Sequence, residues 1–258
     1  MRFASLGSGS RGNALVVESG ATRVLVDCGF STRVTVARLA RLGLTPEDID
    51  AVLVTHEHRD HWHGVAGFSG RFGTPVLLTH GTRAALFSGS SNADDVLSTC
   101  RLIDSHRAFA VGDLQIQPFP VPHDAREPVQ FLFSDGDVQL GVLTDCGAVT
   151  AHVVTMLKRC DALVLECNHD AELLATSRYH FALKQRIAGN YGHLGNHQAA
   201  ELLQRVEQSR LRHVVAAHLS EENNRPALAA AALASALNCT TDWVGVAGQE
   251  EGCGWRQV

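Results

Sequence analysis

No stretch of this 258-residue chain approaches the roughly 18 consecutive apolar residues that a membrane helix needs, so no spanning helix is expected. The opening M-R-F-A-S-L-G-S-G-S turns to glycine and serine before an apolar signal core forms, and a cytoplasmic protein is the expectation. C-x-x-C pairs are absent. Seven scattered cysteines, an odd number, argue against both a disulfide framework and a thiolate zinc knuckle, and most read as small core hydrophobes. Positive charge is not in excess either: 22 Lys and Arg against 27 Asp and Glu leave a net charge of −5. A polyanion would therefore have to be held by a local basic patch or by metal ions. No internal repeat or low-complexity linker interrupts the chain. With 45% hydrophobic and 19% charged residues it is an ordinary globular sequence, long enough for one large domain or two, and the order of its strands and helices favours one over residues 1–258.

Histidine is what the chain has in quantity, 14 in all, and the stretch Ala51–His63, A-V-L-V-T-H-E-H-R-D-H-W-H, concentrates it. Ala51–Val54 reads as a short buried strand. His56, His58, Asp60 and His61 follow at intervals of two, two and one. Helical residues two apart point to opposite sides, which excludes the helical i, i+4 zinc motif. In an extended segment His56, His58 and Asp60 face one way, and His61 reaches a second point if the backbone turns there into a helix. Two adjacent cations suit that arrangement, beyond the carboxyl end of a strand.

Elsewhere, apolar and β-branched runs predict strands at Arg2–Leu6, Ala14–Glu18, Arg23–Val26, Pro75–Thr79, Leu114–Phe119, Val129–Phe133, Val138–Leu143, Ala162–Leu165, Val214–Ala217 and Thr240–Val246. Helical spacing predicts helices at Ser31–Leu42, Val65–Phe72, Thr82–Phe87, Val149–Lys158, Tyr179–Ile187, His197–Gln208 and Pro226–Leu237, with a capped turn at Thr45–Asp48 and a loop at Ser88–Asn92. Hairpins first and alternating strands and helices later predict two mixed β-sheets flanked by helices, an α/β architecture.

Three later strands also end in metal-binding side chains: His123 after Phe119–Pro122, Asp145 after Leu140–Thr144, and His218 after Val214–Ala217. Five histidines and two aspartates result. One coherent partition puts His56, His58 and His123 on one ion and Asp60, His61 and His218 on another, with Asp145 bridging.

T-H-E-H-R-D-H resembles the H-x-H-x-D-H signature of the metallo-β-lactamase superfamily, with Asp27, His123, Asp145 and His218 in the order of that family's other motifs. The resemblance covers essentially the whole chain. It implies a four-layer αβ/βα sandwich with a two-metal site along one edge of the sheets, and it makes Asp27 a support for the metal loop rather than a ligand. G-S-G-S-R-G-N (Gly7–Asn13), P-H-D (Pro122–Asp124), L-T-D-C-G (Leu143–Gly147), L-E-C-N-H-D (Leu165–Asp170), G-H-L-G-N (Gly192–Asn196) and H-L-S-E-E-N-N (His218–Asn224) are similar to the WalJ/YycJ-like branch. Gly195 and His180 depart from that branch's usual residues.

The branch implies a metal-dependent hydrolase, a phosphodiesterase or exonuclease acting on DNA, with two divalent ions, zinc or manganese. A hydroxide held between the ions would attack phosphorus in line. Asp60 doubles as proton acceptor in this reading, and His193, in a glycine-flanked turn, is the candidate acid for the leaving group. Ser8, Ser10 and Asn13 are candidate hydrogen-bond donors to phosphate from a glycine-rich loop. His63, His169 and His197 lie within reach of supporting roles, and Arg11, Arg126, Lys184 and Arg186 can form a local basic patch. Thioester or lactone hydrolysis of the glyoxalase-II type, cleavage of a small cyclic or linear phosphodiester, and a non-catalytic metal-binding regulator are the alternatives. No cysteine stands among the inferred ligands, against the zinc-thiolate lactamases. No membrane partner is expected, and the oligomeric state is left open.

Overall fold

Alternating side chains in β1 (Arg2–Gly7), β2 (Ala14–Ser19), β3 (Thr22–Val26) and β4 (Ala51–Leu53) point to two different apolar layers. Leu15, Val17, Val24, Val26, Ala51 and Leu53 face one cluster; Val16, Leu25 and Val52 face another. This period-2 division means the sheet is covered on both faces. The computed structural model describes residues 1–87 and 100–258, so the loop expected at Ser88–Asn92 lies outside the described residues.

The remaining strands are β5 (Val76–Thr79), β6 (Cys100–Ile103), β7 (Phe109–Val111), β8 (Leu114–Pro120), β9 (Val129–Ser134), β10 (Gln139–Leu143), β11 (Ala162–Glu166), β12 (His213–Ala217), β13 (Gly245–Val246) and β14 (Cys253–Gln257). They build two seven-stranded sheets among the described residues, ordered β14-β1-β2-β3-β4-β5-β6 and β13-β12-β11-β10-β9-β8-β7. In each, three antiparallel pairings give way to three parallel ones, so both sheets are mixed. Phe3, Phe131, Phe133, Val164 and Val215 fill the space between the sheets.

Helices α1 (Thr32–Arg41), α2 (Arg59–Trp62), α3 (Val65–Phe72) and α4 (His80–Phe87) belong to the first half of the chain, and Leu39 and Phe68 cover the outer face of the first sheet. Helices α5 (Ala151–Leu157), α6 (Ala171–Thr176), α7 (Phe181–Ala188), α8 (Asn196–Leu203) and α9 (Pro226–Leu237) follow. Val153, Leu157, Leu202 and Leu233 cover the second sheet with Leu163, Leu165 and Ala216. Helix, sheet, sheet, helix is the four-layer order. Each fully buried Leu or Val contributes about 1.5–3 kcal/mol through area removed from water.

The two sheets are internally alike. β3 and β10 each mark the change from antiparallel to parallel pairing, and both run into the same tripeptide, Asp27-Cys28-Gly29 and Asp145-Cys146-Gly147. Both aspartates hold positive φ, 59° and 48°, and His218 after β12 holds 55°. Such backbone costs a non-glycine residue free energy, and here it turns three side chains sharply off strand ends into one region.

Several expectations need correction. Helix α2 begins at Arg59, so Asp60 sits in its first turn rather than in an extended segment with His56 and His58. The helix expected over His197–Gln208 stops at Leu203. The expected strand Thr240–Val246 is mostly a 3-10 turn (Thr241–Trp243), with only Gly245–Val246 paired. Strand β14 had no alternating signature; it forms because the edge of β1 offers unpaired backbone groups. Helix α6, capped by the Asp170 side chain on Glu172 and Leu173 N–H, was also unforeseen.

Candidate metal centre

Backbone hydrogen bonds lace the histidine-rich segment to the loops beside it. Asn13 N–H donates to Asp60 O (2.8 Å), Cys28 N–H to His61 O (2.9 Å) and Gly64 N–H to Cys28 O (2.7 Å). A side chain at Gly29 would put its Cβ 1.7 Å from Asp60 O, so glycine is required for this approach.

Four histidines have one ring nitrogen engaged by an acceptor, which fixes the tautomer and frees the other nitrogen. His61 Nδ1 lies 2.7 Å from Asp27 Oδ2. His123 Nδ1 donates to Gly192 O at 2.9 Å, and His218 Nδ1 to Glu166 Oε1 at 3.1 Å. Thr55 Oγ1 donates its single proton to Asp27 Oδ2 (2.9 Å), so it accepts from His56 Nδ1, also at 2.9 Å. His58 differs: its Nδ1 lies 3.2 Å from His123 Nε2, and its Nε2 lies 3.8 Å from Asp124.

The free nitrogens converge. Ligand atoms of His56, His58 and His123 lie within 4.8 Å of one another, as do those of Asp60, His61 and His218, and those of His56, His61 and Asp145. Asp145 stands between the sets, its Oδ2 3.0 Å from His61 Nε2 and its Oδ1 3.8 Å from His123 Nε2. Within the cluster two buried atoms, His56 Nε2 and Asp145 Oδ2, lack any hydrogen-bond partner. Unpartnered lone pairs are costly in an interior unless a cation accepts them. The donor set, imidazole and carboxylate with one face open, therefore fits divalent metal ions.

A carboxylate absent from the expected site completes it. Glu166, fully buried at the end of β11, accepts from His193 Nδ1 (2.8 Å) and His218 Nδ1 through Oε1, and from Cys146 N–H (2.8 Å) and Leu194 N–H (3.1 Å) through Oε2. Burial would raise its pKa, but His193 and His218 outweigh it and hold Glu166 at about 2. His218 loses hydration, yet Asp145, Asp60 and Glu166 raise its pKa to about 10. Burial likewise opposes charge on Asp60, and His61 and His218 hold it well below the usual carboxylate range.

Beside the cluster opens a cavity of about 330 Å³, with His58, Asp60, Asp145, His193 and His218 on its wall together with Arg59 and Arg186. Arg186 is held by Asp124 at 2.6 Å. Of the glycine-loop residues only Ser10 reaches this wall. Ser8 and Asn13 are buried behind the cluster: Ser8 Oγ accepts from His218 N–H (2.8 Å), and Asn13 Nδ2 lies 3.2 Å from both Asp60 Oδ2 and His61 Nε2. Their hydrogen bonds hold metal-cluster residues rather than face the cavity. His63, His169 and His197 line neighbouring clefts, and Arg11 is paired with Glu221 and Glu250.

Asp27 anchors the support of His61, since it accepts from that ring and from Thr55 N–H (2.8 Å) together. Asp27→Asn tolerates the positive φ but turns one acceptor into a donor. Its expected outcome is a loss of metal affinity of about 10- to 100-fold with the fold intact, read by titration with a metallochromic chelator and by circular dichroism.

A family profile described as a beta-lactamase superfamily domain matches residues 22–218. The chain is 34% identical to exodeoxyribonuclease WalJ of Streptococcus pneumoniae, over 88% of this chain and 85% of that protein. It is 33% identical to exodeoxyribonuclease YycJ of Bacillus anthracis, over 92% of this chain and 89% of the relative. Among solved structures, the metallo-beta-lactamase fold protein YhfI of Bacillus subtilis superposes with a TM-score of 0.73 at 14% identity, covering 99% of this chain and 98% of the other, which speaks to the fold. By fold, site and sequence, the chain belongs to the metallo-β-lactamase superfamily, in the branch of WalJ and YycJ.

Proposed function

We propose that this protein is a metal-dependent phosphodiester hydrolase of the exonuclease type, acting on DNA. The observation that carries the reading is the convergence of His56, His58, Asp60, His61, His123 and His218 around Asp145, beside an open cavity that also holds Arg59 and Arg186. The names of the relatives, both exodeoxyribonucleases matched over most of their length, support the substrate class.

In this reading His56, His58 and His123 would hold one ion and Asp60, His61 and His218 another, with the Asp145 carboxylate standing between the two sets. Divalent ions, zinc or manganese, would supply Lewis acidity toward the phosphoryl oxygens and acidify water. The chain's own groups do the rest. Asp60, 23% exposed and kept ionised, orients the attacking water and accepts its proton. Burial disfavours charge on His193, but Glu166 and Asp145 raise its pKa and favour the protonated form, which would donate from the cavity wall to the leaving oxygen. Arg59 and Arg186 bind phosphate oxygens despite the net charge of −5. All seven cysteines are free, which supports a reducing, cytoplasmic setting, and no helix among the described residues is long and apolar enough to cross a membrane.

A turnover panel tests the reading: bis-aryl phosphodiester, single-stranded DNA, RNA, thioester and lactone, each with zinc or manganese. Phosphodiesters are expected to turn over and His123→Ala to abolish the reaction. Thioester or lactone turnover exceeding that of every phosphodiester would contradict it.

A further inference from the structure

Asp124 follows His123 directly and belongs to neither histidine set, yet it stands between the cluster and α7. Its Oδ2 accepts from Arg186 Nε at 2.6 Å, and its Oδ1 lies 3.8 Å from His58 Nε2 and 3.6 Å from His123 Nε2. Its N–H donates to Tyr191 O at 3.0 Å, which ties it to the turn after the helix. His58 and Arg186 both line the catalytic cavity. One carboxylate beside them thus divides its oxygens between a histidine of the cluster and an arginine of the cavity wall.

Arg186 needs such a partner. None of the eight residues of α7 is buried, and the Arg186 side chain is 61% exposed. Among the described residues only Asp124 holds its guanidinium, through Nε; both Nη groups are without a hydrogen bond. So exposed an ion pair adds little to stability. What it fixes is orientation: the rotamer freedom of a long side chain is given up before substrate arrives, and the free edge of the fork is left to a phosphate. His58 is the one histidine of the two sets whose second ring nitrogen has no acceptor within hydrogen-bond distance. With Nδ1 turned to the ion site, 3.2 Å from His123 Nε2, the proton sits on Nε2 and faces Asp124. At 3.8 Å the attraction is coulombic, and it orients the ring and strengthens its lone pair. We propose that Asp124 is a positioning residue: one oxygen steadies His58 for the metal, and the other aims Arg186 at the phosphate. This rests on the phosphodiester reading and names what places the cavity's arginine.

The test compares wild type, Asp124→Ala, Asp124→Asn, Arg186→Met and the Asp124→Ala, Arg186→Met double variant on a bis-aryl phosphodiester at saturating manganese. Metal affinity is read separately with a metallochromic chelator, and folding by circular dichroism. Asp124→Ala is expected to raise KM about 5- to 10-fold and to weaken metal binding about 10-fold. Asp124→Asn keeps one acceptor and should fall between it and wild type in both readouts. Arg186→Met is expected to raise KM about 10-fold or more with metal affinity unchanged, and removing Asp124 as well to raise KM no further. Additive effects on KM, or an Asp124→Ala protein that binds metal within twofold of wild type, overturn the proposal. If the wild type cleaves no phosphodiester, the functional reading fails by itself. Calorimetric binding of inorganic phosphate to the manganese-loaded variants then takes the place of KM. Phosphate bound equally by wild type, Arg186→Met and Asp124→Ala refutes the role of Asp124.

Discussion

Asp145→Asn is expected to lower phosphodiester turnover by about 10³-fold or more, a transition-state loss of about 4 kcal/mol, while leaving the fold in place. Its carboxylate is buried, lies between the two histidine sets, and has an oxygen with no hydrogen-bond donor aligned on it. Burial alone would push its pKa up; His218 and His61 reverse that, so the group is anionic where cations are to be held. Asparagine keeps the volume and accepts the positive φ of 48° that most residues resist. The change therefore isolates charge from shape. Metal content per chain by plasma mass spectrometry should fall together with kcat. A variant within threefold of wild type in both would contradict the bridging role.

Glu166→Gln is expected to reduce metal affinity and turnover about 10- to 100-fold and to lower thermal stability. Both oxygens of Glu166 accept hydrogen bonds, two from histidines and two from backbone N–H groups. An amide accepts on one oxygen only, so either the rings or the backbone donors meet an NH2 group. A cost of about 3 kcal/mol, roughly 6–12 °C in Tm for a domain of this size, follows from leaving such donors unpaired in a dry interior. The pH dependence has a definite sign. The folded pKa of about 2 lies below the ordinary 4.5, so the stabilisation is present above pH 4.5 and is lost as pH falls toward 2. In metal-free protein the variant should lack that part of the acid limb, as read by melting curves. An identical acid limb in the variant would remove Glu166 from this role.

The histidine-rich turn was readable because its physics is local: a buried apolar strand, then side chains that an interior tolerates only with a partner. His123, Asp145 and His218 could be placed because each stands just beyond a recognisable strand. Glu166 was not readable as a site residue. It closes the apolar run A-L-V-L-E, and its partners His193 and His218 lie 27 and 52 residues away, so nothing near it in the chain declares them. Ser8 and Asn13 misled in the opposite direction. A glycine-rich loop looks open to ligands, yet Asn13 is drawn inward by Gly9 and Asp60. The matching D-C-G tripeptides were visible as letters, but their equivalence rests on the pairing order of the two sheets. Strand β14 depended wholly on its neighbour's edge.

Crystals grown with manganese and examined by anomalous diffraction test the central claim most directly. Two anomalous peaks about 3.5–4 Å apart are predicted, one on His56, His58 and His123, the other on Asp60, His61 and His218, with Asp145 touching both. A single peak, or peaks away from Asp145, would contradict the account.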